Sequence, residues 1–261
     1  MKIALMDSGI GLLAATAAVR RLRPDADLVL SLDPDGMPWG PRTPEDLTGR
    51  ALAVAEAAAA HRPDALIVGC NTATVHALTA LRSRLEPAVP VIGTVPAIKP
   101  AAAGGGPVAI WATPATTGSV YQRGLIEDFA GGVRVTEVPC PGLAEAVEHA
   151  DEAAVAAAVA AAAELTPDDV TTVVLGCTHY ELVAERIRAA LQRPGAPALV
   201  LHGSAGAVAA QALRRIGSRP DPAAEAGGSL TVLLSGREGA LPAPALTYAE
   251  GRLLSAVSPV R

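Results

Sequence analysis

Two stretches of this chain end an apolar run on a glycine and a cysteine. They are Ala65-Leu66-Ile67-Val68-Gly69-Cys70-Asn71-Thr72 and Val173-Val174-Leu175-Gly176-Cys177-Thr178-His179-Tyr180. In both, strand-like residues lead to Gly-Cys, and small polar side chains then open a helical pattern. In a parallel sheet this places each thiol at the carboxyl end of a strand, where open α/β sheets bind ligands. A helix N-terminus or an acid–base partner can activate such a thiol. One isolated strand-end cysteine would read as a small core residue. Two of them with polar neighbours read as a pair of thiols facing one small substrate.

Two opposed acid–base groups are what a stereoinversion without a cofactor requires. One thiolate removes the α-proton and the opposite thiol delivers a proton to the other face. Hydrogen bonds and a dry site must then stabilise the developing carbanion. Asn71, Thr72 and Thr178 follow the thiols and can hold a carboxylate or an ammonium group. Asp7 and Ser8 follow the first apolar run; Asp7 can orient a thiol or bind an ammonium group, and either residue can instead cap a helix. His179, two residues after Cys177, can support that thiol as acid or base. A competing reading is dinucleotide binding: Gly9-Ile10-Gly11-Leu12-Leu13-Ala14 satisfies a phosphate-loop pattern after a strand, and Asp33 ends the second strand. Against it, Asp7 would repel the pyrophosphate and both cysteine units would have no use.

The elements that must position these residues alternate along the chain, as in a parallel sheet with helices on both faces. Strands are expected at 3–6, 28–32, 65–68, 89–92, 108–111, 133–138, 172–175, 198–201 and 230–234. Helices are expected at 12–22, 44–60, 73–85, 115–129, 143–149, 152–165, 181–191 and 205–216. The segment Val95–Pro107, rich in Pro and Gly, reads as the boundary between two halves, each carrying one cysteine strand. Approximate two-fold symmetry would bring the thiols together across a cleft between the halves, a favoured kind of ligand site.

Composition narrows the classes further. With 261 residues, half of them apolar and 2% aromatic, the cores must be built from Ala, Val, Leu and Ile. A net charge of −5 without a basic cluster disfavours nucleic acid and anionic membranes. No apolar run approaches the roughly 20 residues of a membrane span, and Asp7 comes too early for a signal peptide. Three cysteines form no secreted framework, and no Cys/His spacing matches a zinc site. A cytoplasmic protein with reduced thiols, no metal and no cofactor is expected, acting on a small molecule as a homodimer.

Taken together, Asp7-Ser8-Gly9-Ile10-Gly11, Pro38-Trp39-Gly40-Pro41-Arg42, Cys70-Asn71-Thr72-Ala73-Thr74, Ala112-Thr113-Pro114-Ala115-Thr116 and Gly176-Cys177-Thr178-His179-Tyr180 resemble the glutamate racemases of the aspartate/glutamate racemase superfamily. Cys140-Pro141 followed by Val147-Glu148 matches more loosely. The resemblance implies two flavodoxin-like α/β domains with parallel sheets, residues 1–95 plus 206–261 and residues 96–205, and an active site in the cleft between them. It implies that Cys70 acts on the D-enantiomer and Cys177 on the L-enantiomer, with Asp7 beside Cys70, and Glu148 and His179 beside Cys177. Substrate contacts would come from Asp7, Ser8, Pro38, Trp39, Gly40, Asn71, Thr72, Thr116, Thr178 and His179. The implied product, D-glutamate, would supply peptidoglycan synthesis. Cys140 receives no catalytic role.

The chain departs from the family pattern at Leu12 (usually Gly), Trp39 (usually Tyr), Glu181 (usually Pro) and Gly203-Ser204 (commonly Asp-Ser). No departure removes a proton-transfer residue, so they bear on substrate preference; Trp39 in particular would reshape the substrate cleft. Racemisation of another small acidic amino acid such as aspartate is the alternative within the enzyme class. A catalytically silent binding or regulatory relative is the alternative outside it.

Overall fold

The computed structural model describes residues 1–256. Within them ten strands form: β1 Lys2–Asp7, β2 Asp27–Leu32, β3 Ala65–Val68, β4 Val91–Gly93, β5 Val108–Ala112, β6 Val135–Pro139, β7 Thr172–Leu175, β8 Val200–His202, β9 Leu230–Leu234 and β10 Arg237–Gly239. The chain divides into two compact units, Met1–Val95 with the segment from Ala205 onward, and Pro96–Ser204.

The first unit holds a six-stranded sheet in the order β10-β9-β2-β1-β3-β4. β1 is central and its residues from Ile3 to Asp7 are buried, the signature of a parallel strand covered on both faces. Ala4, Met6, Val29, Leu66 and Val68 turn to one face. There they meet Leu47, Ala51, Val54, Ala55, Ala73, Ala77 and Leu81 of helices Pro44–Ala59 and Asn71–Leu85. Alanine at the helix contacts lets both helices lie close to the sheet, which is how a core almost without aromatics stays dense. Helix Leu13–Leu22 packs instead against Ala205–Arg215 and Ala249–Ser255.

The second unit holds a four-stranded parallel sheet, β6-β5-β7-β8. Its strands β5 and β7 are entirely buried. The two sheets share one winding. In each, the first strand is flanked by the second on one side and the third on the other, and the fourth lies outside the third. The order of connection therefore reverses between first and third strands, β1/β3 in one unit and β5/β7 in the other. Such a reversal opens a crevice beyond the carboxyl ends of the strands.

Several expectations shift. The segment 95–107 contains a helix, Ile98–Ala103, and is not merely a linker. Pro100 falls in its first turn, where a missing N–H costs nothing. The helix expected from 115 begins only at Val120, because Thr116 and Thr117 donate to the Thr113 carbonyl in tight turns and Ser119 caps the helix by accepting from the Gln122 N–H. The helix expected over 181–191 is two, Thr178–Glu181 and Ala184–Leu191, with Val183 leaving helical geometry between them. The first sheet is also not wholly parallel: β10 pairs antiparallel to β9. Ser235-Gly236 makes their two-residue turn with φ of 46° and 80°, the geometry that matches hairpin twist.

Candidate active site

Cys70 and Cys177 occupy the same place in their two units. Each follows the third strand of its sheet and stands at the N-cap of a helix in extended backbone geometry. The residue before each thiol is fixed in the same way. Gly69 donates to the Met6 carbonyl of β1 and Gly176 to the Trp111 carbonyl of β5, both at 2.7 Å. A Cβ at Gly69 would meet that carbonyl oxygen at 3.2 Å; at Gly176 it would meet it at 2.7 Å. The chain here turns out of the strand against its neighbour's backbone, tightly at Gly69 and with no room for a Cβ at Gly176, and that turn presents the following thiol at the carboxyl end of the sheet.

Around Cys70 the site is built from β1 and β3. Asp7 ends β1 and is 1% exposed, and its Oδ1 accepts hydrogen bonds from the Ser8 N–H (2.7 Å) and the Ser8 hydroxyl (3.3 Å). The 3-10 turn that follows, Ile10–Leu12, has Gly9 at its N-cap position. Cys70 is 8% exposed and heads the 15-residue helix Asn71–Leu85, with Asn71 buried and Thr72 half-buried in its first turn. The aligned N–H dipoles at such an end favour negative charge. Thr94 was not singled out in the sequence. Its hydroxyl donates to the Val68 carbonyl at 2.7 Å and its N–H donates to the Thr74 hydroxyl, tying the end of β3 to the helix that Cys70 opens.

Around Cys177 the supports are side chains. Its helix, Thr178–Glu181, has four residues and supplies little aligned dipole. Instead His179 Nδ1 lies 3.8 Å from the Cys177 Sγ, and His179 Nε2 lies 2.9 Å from Glu148 Oε2. When Nε2 carries the proton and donates to the carboxylate, Nδ1 is left to accept the thiol proton. His179 and Glu148 are both largely buried, which keeps water from competing for these bonds. Thr178 is buried beside them, and Thr116 lies in the loop after β5 with its hydroxyl 3.3 Å from that of Thr113. Tyr180 is wholly buried, and its hydroxyl donates to the Cys140 carbonyl at 3.3 Å. Burial raises the Tyr180 phenol well above its usual value, so it stays a donor. Burial, with the charge of a Cys177 thiolate adding to it, pushes the Cys140 thiol up to about 12, which leaves Cys140 an inert core residue.

The loop after β2 carries Pro38, Trp39 and Gly40. Pro38 is exposed and Gly40 half-buried, but the Trp39 indole is 1% exposed and packs in the first unit's core with Met6, Leu47 and Ala51. Its Nε1–H donates to Asp33 Oδ2 at 2.9 Å. The indole thus reshapes the core and not an open cleft wall. Asp33 also accepts from the Ser235 hydroxyl at 2.9 Å and pairs with Arg50 at 3.3 Å. With its oxygens so engaged, Asp33 is not presented to a ribose, and the dinucleotide reading loses its acidic anchor. Among the described residues no group of three His, Cys, Asp or Glu side chains is arranged to hold a metal ion, and no helix is long and apolar enough to cross a membrane.

A doubly wound α/β unit occurring twice, each time with a thiol at the reversal point, defines a class of two-thiol α/β proteins suited to acid–base chemistry. The comparisons narrow this to a family. Residues 12–211 match the model of the Asp/Glu/Hydantoin racemase family, and the chain belongs to that family. A glutamate racemase of Roseiflexus sp. (strain RS-1) is 39% identical over 192 residues, covering 72% of this chain and 70% of the relative. A glutamate racemase of Pseudomonas putida (strain W619) is 35% identical over 219 residues, covering 82% of this chain and 80% of the relative. Among solved structures, Escherichia coli glutamate racemase in complex with L-glutamate and the activator UDP-MurNAc-Ala superposes with a TM-score of 0.76 at 27% identity, covering 94% of this chain and 91% of that one.

Proposed function

We propose that this chain is a glutamate racemase, interconverting L- and D-glutamate by proton transfer at Cα between Cys70 and Cys177. The observation that carries the reading is the repeated Gly-Cys unit at the reversal point of two sheets with one winding. Racemisation needs one acid–base group for each face of the α-carbon, and a protein that only binds has no need of a second thiol in the equivalent place.

In the forward direction the Cys177 thiolate removes the α-proton of L-glutamate, and the Cys70 thiol protonates the opposite face; the reverse reaction exchanges the roles. His179 holds the Cys177 proton between turnovers and Glu148 fixes the imidazole, while Asp7 serves the Cys70 side or receives the substrate ammonium. Ser8, Asn71, Thr72, Thr116 and Thr178 supply short hydrogen-bonding side chains for the two carboxylates, with Pro38, Trp39 and Gly40 contributing through their loop. Hydrogen bonds to the α-carboxylate take up charge as the carbanion forms, the part of the barrier that acid–base groups alone do not lower. The names of the relatives support glutamate as the substrate. The reading carries with it a cytoplasmic homodimer whose D-glutamate enters peptidoglycan synthesis.

The test is incubation of the reduced protein with L-glutamate in D2O, following optical rotation and the α-proton signal by NMR. Rotation decaying to zero with deuterium entering Cα is expected; aspartate run in parallel ranks the substrates. Folded protein that exchanges neither amino acid overturns the proposal in favour of a binding role.

A further inference from the structure

The helix that follows Cys177 is a single turn, too short to be stable on its own. Three successive side chains tie it to other segments of the second unit: His179 to Glu148, Tyr180 to the Cys140 carbonyl, and Glu181 to Ser204. The first two belong to the machinery already described. The third does not. Glu181 Oε1 accepts from both the Ser204 N–H at 2.7 Å and the Ser204 hydroxyl at 2.8 Å, and Ser204 is 3% exposed. The same carboxylate fills the space beside Gly203: a Cβ there would stand 2.3 Å from Oε2 and 2.5 Å from Cδ. A side chain at Gly203 would need the volume that the Glu181 carboxylate now occupies.

We propose that Glu181 is a positioning residue for the Cys177 side of the site, and that Glu181, Gly203 and Ser204 form one interdependent clamp. By fixing the last residue of the one-turn helix, the clamp fixes the angle at which His179 and Thr178 stand beside Cys177. The departures from the family pattern at 181 and at 203 are then a single linked feature, a carboxylate reached from one segment into the space that a side chain on the other would need. The proposal rests on the reading of Cys177 as an acid–base group.

The experiment uses the full chain and four variants: Glu181→Ala, Glu181→Gln, Gly203→Ala and the double Glu181→Ala/Gly203→Ala. Two quantities are read. One is the rate of iodoacetamide labelling at Cys177 against pH, by peptide mass spectrometry, with Cys70 in the same sample as reference. The other is kcat and KM from each glutamate enantiomer. Loss of a positioned acid–base partner lowers kcat by about 10-fold for Glu181→Ala with KM within about 2-fold, and shifts the Cys177 labelling profile while leaving that of Cys70 in place. Glu181→Gln keeps the accepting oxygen and stays within about 3-fold of the parent. Gly203→Ala matches Glu181→Ala, and the double variant is no worse than either single one, because groups acting through one contact are not additive. Should Glu181→Ala lose its near-UV circular dichroism, Ser204→Ala replaces it and is expected to give an intermediate loss. An unchanged Cys177 profile in Glu181→Ala, or additive losses in the double variant, overturns the clamp. If the parent fails to racemise glutamate while Cys177 labelling still responds to 181 and 203 as described, the racemase reading falls and the clamp stands.

Discussion

In the first unit Gly69 leaves β3 under the Met6 carbonyl, and in the second Gly176 leaves β7 under the Trp111 carbonyl, at the same 2.7 Å. Past the cysteine the two regions part. Cys70 opens a helix of 15 residues and lies 8% exposed; Cys177 opens a helix of four and is more accessible. The first thiol stands at the N-terminal N–H groups of a long helix, and the buried carboxylate of Asp7 ends the neighbouring strand β1. The second is served by side chains, through the His179–Glu148 pair. One turn geometry thus presents two thiols in surroundings of different kinds, a long helix's N-terminus for one and a His–Glu pair for the other. In the proposed mechanism the two thiols need not be chemically symmetric; each needs only to hold and release a proton on its own face.

The largest effect should come from removing either thiol. Cys70→Ser and Cys177→Ser are each expected to lower racemisation by about 10³-fold or more, since the hydroxyl is a far weaker acid at neutral pH. Polarimetry from both enantiomers checks this, and full racemisation surviving one of the replacements would show that the two regions are not partners. A substrate that eliminates a leaving group needs only one base and should still react with a single variant.

The asymmetry of the supports is sharpened by Glu148→Gln. Removing the negative charge beside His179 while keeping an acceptor oxygen is expected to lower kcat by about 10- to 100-fold and to alter labelling of Cys177 but not of Cys70. Equal changes at both thiols would mean that the two sides are not served separately.

Next comes the glycine pair, read as stability. Gly176→Ala drives a methyl against backbone at 2.7 Å, whereas Gly69→Ala meets contacts no closer than 3.2 Å. Urea unfolding should show a loss of about 2–3 kcal/mol for the former and about 1 kcal/mol for the latter, because only the latter can be relieved by a slight shift. The reverse order would contradict the shared turn geometry.

The smallest effect concerns Cys140, which lies under the Cys177 side with no counterpart assigned beside Cys70. Its thiol is raised from 9.0 to about 12, so the folded state holds that proton more tightly than the unfolded chain. The resulting stability is complete below pH 9 and is lost as the pH climbs toward 12. Cys140→Ala should flatten the decline that starts near 9, while Tyr180, raised from 10.0, keeps a slope at higher pH. Urea midpoints measured across this range give the comparison.

Both cysteine units were legible in the sequence because everything that makes them is local: an apolar run, a glycine at the turn, a thiol and a helix opening. The strands β3, β7 and β9 fall where the alternation places them for the same reason. The helix boundaries at Val120 and Val183 were not legible, since local hydrogen bonds at Thr113 and the break at Val183 override a continuing helical pattern. Trp39 was read as a substrate contact that would reshape the cleft; its indole is buried in the first unit's core, where it donates to Asp33, itself held by Ser235, 202 positions away. The Ser235-Gly236 turn did carry a signal for the β9–β10 hairpin, masked by the Pro- and Gly-rich composition around it.

The sequence by itself determined the thiols, the strand ends they occupy and the family to which they belong, because those depend on neighbours along the chain. The family resemblance already named Glu148 and His179 beside Cys177; the tertiary structure alone decided the contacts that hold them. Glu148 reaches His179 from 31 positions away, and Glu181 finds Ser204 across 23. Such pairings depend on how β5, β7 and the helices pack, and side-chain chemistry without that packing leaves many carboxylates equally eligible.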